Sequence, residues 1–265
     1  MQIERASWNR REFVGGVTGL AAAAWAGGAK AQSSASPIIL GQSCALSGPS
    51  ALLGTEFSQG ARLYFDQLNA QGGVAGRQID LRTLDDGYEP DRCINNTQQF
   101  LNDDVFALFG YVGTPTSMAA LPLLQKAGVP LIAPLTGGQA LRDPRLAKNV
   151  FNLRASYAEE TALMVKQLTA LGLKKIAVFY QNDAYGQSGL NGVTEALRPH
   201  GLKPIGVATV ERNSKDVAGA VQKLVPLGAD VIVQVGTYSA SAAFVRAARK
   251  AGFGGQFYNV SFVGT

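Results

Sequence analysis

Short apolar runs recur along the chain, each followed by a helical stretch with one apolar face. Pro37–Gly41, Val105–Phe109, Val129–Ala133, Lys175–Tyr180 and Ala229–Val235 are runs of the kind that form strands buried on both faces. Gln78–Leu84 alternates and reads as a further strand, and Ile205–Thr209 and Gln256–Val260 complete the set. Between them lie helical patterns. Glu56–Asn69 places Phe57, Ala61, Tyr64 and Leu68 on one predicted face, and Cys93–Leu101 and Met118–Ala127 follow. Val150–Tyr157 reads as a connector. The rhythm then restarts with helices over Glu159–Leu171, Ser188–His200, Val217–Leu227 and Tyr238–Gly252. Strands that alternate with helices imply an α/β fold with parallel sheets and right-handed crossovers.

Parallel open sheets bind ligands beyond the carboxyl ends of their strands, so the loops there are the candidate sites. The richest is the continuation of Val105–Phe109: Gly110 breaks the strand, and Thr114, Thr116 and Ser117 bring three hydroxyls beside Gly113. Such a loop either grips a small polar ligand or caps the next helix. The second such loop is Pro134-Leu135-Thr136-Gly137-Gly138, and the third is Gln181–Gly186. Asp85-Asp86, at a strand end, reads as a turn rather than an acid/base pair.

The first residues change the picture. Arg10-Arg11 precedes an apolar Ala/Gly-rich run from Val14 to Gly28, and Ala29-Lys30-Ala31 offers a small-residue cleavage point. Residues 1–31 are therefore expected to be a signal peptide, of twin-arginine type or a plain Sec signal, and not a membrane anchor. The mature chain is then extracytoplasmic, in the periplasm. Of the 24 basic and 19 acidic residues, four and two fall in that leader. The remaining basic residues are scattered, with no stripe interleaved with aromatics, which argues against a nucleic-acid partner. An oxidising compartment allows Cys44 and Cys93 to pair, and two free buried thiols are the alternative.

Catalytic and metal patterns do not emerge. His200 is the single histidine and sits in a turn-like Arg-Pro-His-Gly. No His/Cys cluster has metal spacing, and no phosphate-binding glycine motif is present. Neither an enzyme nor a cofactor is expected.

The mature chain resembles the type I periplasmic substrate-binding proteins of branched-chain-amino-acid (leucine/isoleucine/valine-type) ABC transporters, from Ile38 to Thr265. The resemblance rests on Leu46-Ser47-Gly48-Pro49 with Gly54 and Gly60-Ala61, on Asn69–Arg77, on Asp85-Asp86, on Tyr180–Gly186 and on Phe244–Arg249. It implies a two-lobed fold, each lobe a Rossmann-like parallel sheet, with lobes over 37–153 and 154–265. It also implies a monomer that captures a small amino-acid-like, carboxylate or amide ligand in the cleft between lobes. That ligand would be handed to an ABC transporter membrane permease. A ligand-sensing regulatory domain of the same fold and a cleft hydrolase are the alternatives.

Carried over by residue, Thr114 looks like the hydroxyl that binds the ligand carboxylate, with Thr116 beside it. Leu135 looks like the carbonyl that accepts from a ligand amine, and Tyr185 like the aromatic that covers the ligand. Tyr238 lies in the next cleft loop. The family's threonine falls on Gly137, with Thr136 adjacent. Its acidic partner for an ammonium falls at Ser261, with Glu159 or Asp183 as substitutes, and Leu53 stands where an aromatic is common. The family pattern also runs well past Thr265, so the second lobe is expected to be incomplete.

Overall fold

A computed structural model describes residues 36–145 and 148–263. The expected leader, residues 1–31, lies outside the described residues. Two all-parallel sheets organise the rest. In the first, β1 (Ile38–Cys44) pairs with β2 (Ile79–Asp85) on one side and β3 (Ala107–Phe109) on the other. Then come β4 (Leu131–Ile132) and β5 (Val150–Phe151), giving the order β2-β1-β3-β4-β5. The second sheet has the order β7-β6-β8-β9, from β6 (Ile176–Gln181), β7 (Val207–Val210), β8 (Val231–Val235) and β9 (Gln256–Asn259). This is the type I periplasmic-binding-protein architecture, with five strands in the first sheet and four in the second.

Helices α1 (Ala51–Ala70), α2 (Pro90–Asn102) and α3 (Thr114–Ala127) link the strands of the first sheet. Helices α4 (Tyr157–Ala170), α5 (Ala184–Leu197), α6 (Ala218–Leu224) and α7 (Tyr238–Lys250) serve the second.

Four local expectations are corrected. The face expected from Phe57, Ala61, Tyr64 and Leu68 is rotated: Tyr64 is 62% exposed, and Phe65 instead meets Phe109 edge-on at 5.3 Å. Val150–Tyr157 is not merely a connector, because Val150 and Phe151 pair with Leu131 and Ile132 as a fifth strand. Helix α3 begins at Thr114 rather than Met118, so Thr114, Thr116 and Ser117 form its first turn. The last correction concerns Cys44 and Cys93, which are free, buried thiols without a bridge. Successive strand residues face opposite sides of a sheet. The Cys44 thiol faces the Gly54 carbonyl of α1 at 3.8 Å, whereas its neighbour Ser43 turns to Asn96 of α2, the helix that carries Cys93. Burial pushes both thiols up to about 12.

In each sheet the strand order reverses once, between β1 and β3 and between β6 and β8. The crevices at the carboxyl ends of those pairs are the natural ligand positions. Both open onto one buried cluster that includes Cys44, Tyr88, Val112, Tyr157, Tyr185, Val235 and Phe262. The two sheets therefore share a core at the edges where their loops emerge.

Candidate functional site

Three hydroxyls meet at the amino-terminal end of α3. Thr114 Oγ1 lies 2.6 Å from Thr136 Oγ1, and Thr136 Oγ1 accepts from the Gly138 N–H at 3.0 Å. Neither threonine caps the helix, whose N-cap is Gly113 without a side-chain bond. Helix amino termini carry partial positive charge and free N–H donors, so this end suits an anion.

Tyr157 completes the group. It opens α4 behind a capping box in which Ser156 Oγ accepts from Glu159 N–H and Glu159 Oε2 accepts from Ser156 N–H. Its backbone N–H donates to the Gly137 carbonyl at 2.8 Å. Position 137 has to be small, since a Cβ there would stand 2.7 Å from the Tyr157 ring. Gly137 thus admits this ring. The Tyr157 phenol is fully buried, and its oxygen has no hydrogen-bond partner. Burial pushes its pKa up, opposed by the Gly137 backbone and the Thr136 and Thr114 hydroxyls around it. It is a neutral donor at physiological pH, adjacent to two hydroxyls at a helix amino terminus.

Aromatic rings wall the group. Tyr157 and Tyr185 have centroids 5.2 Å apart, Tyr185 and Phe262 4.8 Å, and Tyr88 and Phe262 6.1 Å. Tyr185 OH donates to the Gly236 carbonyl at 3.1 Å, bridging the β6 and β8 loops at the crevice of the second sheet. Tyr88 arrives through the turn after β2. Asp86 accepts from its N–H at 2.8 Å and from Ser43 Oγ at 2.7 Å, holding Tyr88 at φ +64°. Gly113 (φ +103°) makes room for it, because a Cβ would sit 2.2 Å from Tyr88 Cε2.

The acid pair is structural. Asp85 takes up the N–H groups of Leu46, Ser47 and Gly87 and pairs with Arg92 at 2.8 Å. Although its partial burial pushes the other way, those bonds hold Asp85 well below the usual carboxylate range. Burial pushes Asp86 up to about 6.

On one rim the β7–α6 loop clasps the β2–α2 turn. Asn213 Nδ2 donates to the Gly87 carbonyl at 2.9 Å and to Glu89 Oε1 at 2.7 Å, and Ser50 Oγ bonds Asn213 Oδ1 at 3.1 Å. Arg212 spans Glu89 at 3.1 Å and Asp183 at 3.6 Å. Nearby, Gln181 Nε2 donates to Tyr88 OH at 3.3 Å.

The predicted site residues divide. Thr114, Thr136 and Tyr185 lie in the buried cluster. Thr116 is committed to its own helix, donating to the Val112 carbonyl at 2.6 Å. The Leu135 carbonyl accepts from the Gly113 N–H at 3.1 Å within a parallel bridge to Val112, which leaves its second lone pair uncommitted. Tyr238 reaches the opposite sheet's side of the rim, where its OH accepts from Leu52 N–H at 3.4 Å. Ser261 is exposed and tied to Glu160 by its N–H at 2.8 Å and its hydroxyl at 2.6 Å, with Arg154 also against it. Of the substitute acids, Glu159 is used by the capping box, and Asp183 caps α5 by accepting from Tyr185 N–H at 3.0 Å. Tyr157, Tyr88 and Phe262 were not among the predicted residues. The Ser-x-x-Glu at 156–159 was the available signal for a helix starting at Tyr157.

Residues 37–265 match the periplasmic binding protein family. The chain belongs to that family, whose members are solute-binding proteins. It is 38% identical to a possible leucine/isoleucine/valine-binding protein from Rhodopirellula baltica SH 1, with a TM-score of 0.82 over 87% of this chain and 64% of that one. A substrate-binding periplasmic protein from Ralstonia solanacearum is 34% identical with a TM-score of 0.81, over 85% and 64%. Leu/Ile/Val-binding protein homolog 3 of Brucella melitensis is 27% identical over 196 residues, 74% of this chain and 53% of the relative. This family member thus spans between about half and two thirds of the length of these relatives.

Proposed function

We propose that the protein is an extracytoplasmic receptor that captures a small carboxylate-bearing solute between its two sheets and delivers it to an ABC permease. One observation carries the reading: the buried, unpartnered Tyr157 hydroxyl beside Thr114 and Thr136 at the amino terminus of α3. An unsatisfied buried donor costs free energy, and an anion bound there would relieve it. The residues over 37–153 and 154–265 act as lobes that close on the ligand, acting as a monomer, with Tyr185 and Tyr88 excluding water. Residues 1–31 direct export to the periplasm by the twin-arginine or Sec route.

A thermal-shift panel tests this, using leucine, valine, benzoate, octanoate, succinate and acetamide. A bound solute stabilises by about 2.7 kcal/mol at a hundredfold excess over its Kd. At least one carboxylate raises the melting temperature of the wild type, and Thr114→Ala abolishes that rise. A panel in which acetamide shifts the protein and every carboxylate is silent refutes the reading.

A further inference from the structure

A groove of about 400 Å³ runs off Thr114, between helices of the two halves. Met118 and Ala140 line it from the first half, and Ala158, Ala184 and Gly192 from the second. Four of these five end at or before Cβ, so the space exists because side chains are missing there. Several polar groups on its rim are engaged with one another. Gln187 Nε2 donates to Asn191 Oδ1 at 2.8 Å, and Ser188 Oγ accepts from Gln139 N–H at 3.3 Å. Glu195 alone among the lining residues is charged, and it pairs with Arg198 at 2.8 Å. The groove thus offers apolar surface with no free charge, and at one end it meets the threonine that belongs to the hydroxyl group.

We infer that this groove is a tail subsite, and that the protein takes monocarboxylates with an extended apolar tail: the carboxylate at Thr114, Thr136 and Tyr157, the tail along Met118, Ala140, Ala158 and Ala184. The inference rests on the capture reading above. An ammonium on the ligand has no counterpart here. Asp183 caps α5, Glu159 belongs to a capping box, and Glu195 pairs with Arg198. The volume is within the range of pockets that bury a small organic ligand, and more than an acetate or a valine side chain needs.

The test is isothermal titration of the full chain with acetate, butyrate, hexanoate, octanoate and decanoate below their micellar concentrations. Octanol and octylamine report tail-only and wrong-charge binding. Each methylene buried in the groove raises affinity about fourfold, and the gain levels off once the groove is filled. Ala158→Phe and Ala140→Phe, one on each wall, each cut octanoate affinity at least tenfold and leave butyrate within twofold. Unchanged melting temperatures show that both variants remain folded. Affinity indifferent to chain length, or octanoate binding that ignores both variants, overturns the tail subsite while leaving the capture reading standing. Octanol or octylamine binding as tightly as octanoate overturns it too. Silence of every acid, butyrate included, together with silence of leucine, removes both.

Discussion

Replacing Tyr157 with Phe removes one oxygen and separates two roles that usually move together. The phenol is buried without a hydrogen bond of good geometry, the Gly137 backbone and the Thr136 and Thr114 hydroxyls lying only close by, so it retains most of a desolvation cost of about 1–3 kcal/mol. Deleting it stabilises the unliganded chain by about that amount. For a chain of this size each kcal/mol moves the melting temperature by about 2–4 °C, so the rise is about 2–12 °C. The ring stays, and with it the packing on Gly137 and the 5.2 Å contact with Tyr185. In the complex the same oxygen donates to an anion, a bond worth about 1.5–3 kcal/mol. Carboxylate affinity therefore falls about tenfold to a hundredfold. Calorimetric melting of the unliganded protein and titration with the solute that shifts it most give the two numbers. A variant that melts lower and binds as well as wild type refutes the reasoning, because it would make Tyr157 a packing residue with a hidden hydrogen bond.

Other consequences follow from the same geometry. Asp86, held at about 6 against an unfolded value near 3.8, binds its proton more tightly when folded. Its contribution to stability is full below about pH 3.8 and is lost as pH rises through 6, amounting to about 3 kcal/mol. Asp86→Asn mimics the protonated acid, so its melting temperature gains on wild type between pH 4 and 7; a constant difference would contradict this. Asp85, held low, acts in the opposite sense and only below its unfolded value, so the two windows do not overlap. Asn213→Ala removes three rim hydrogen bonds, and small-angle scattering of the unliganded variant should show a larger radius of gyration than wild type. Cys44 and Cys93, buried with thiols pushed up to about 12, should stay silent to a thiol reagent at pH 8 until urea unfolds the chain, when two react. Prompt reaction of the folded protein, or no free thiol in urea, would count against the free-thiol pair.

Most of the fold was legible because parallel strands covered on both faces are bare apolar runs, and Ile176–Phe179 and Val231–Val233 are fully buried as such runs require. The carboxyl-end rule then points to the loops that hold Thr114 and Thr136. What it could not supply was direction. Thr116 lies two residues from Thr114 and turns back onto Val112, a choice made by helical geometry rather than by residue type. Ser261, which the resemblance placed where a ligand-facing acid is expected, gives both its donors to Glu160. The aromatic walls were illegible for a different reason. Tyr88, Tyr157 and Phe262 come from three separate segments whose meeting depends on how two sheets share a core, and hydrophobic periodicity along one segment carries no information about that. Leu53 packs on the edge of this same core.

Hydrogen exchange measured with and without the most stabilising solute of the panel tests the central claim most directly. Capture between the sheets predicts slowed exchange in segments from both halves at once: residues 113–118 and 136–139 on one side, and 156–160 and 184–188 on the other. Protection confined to one half, or lying away from Thr114 and Tyr157, would contradict it.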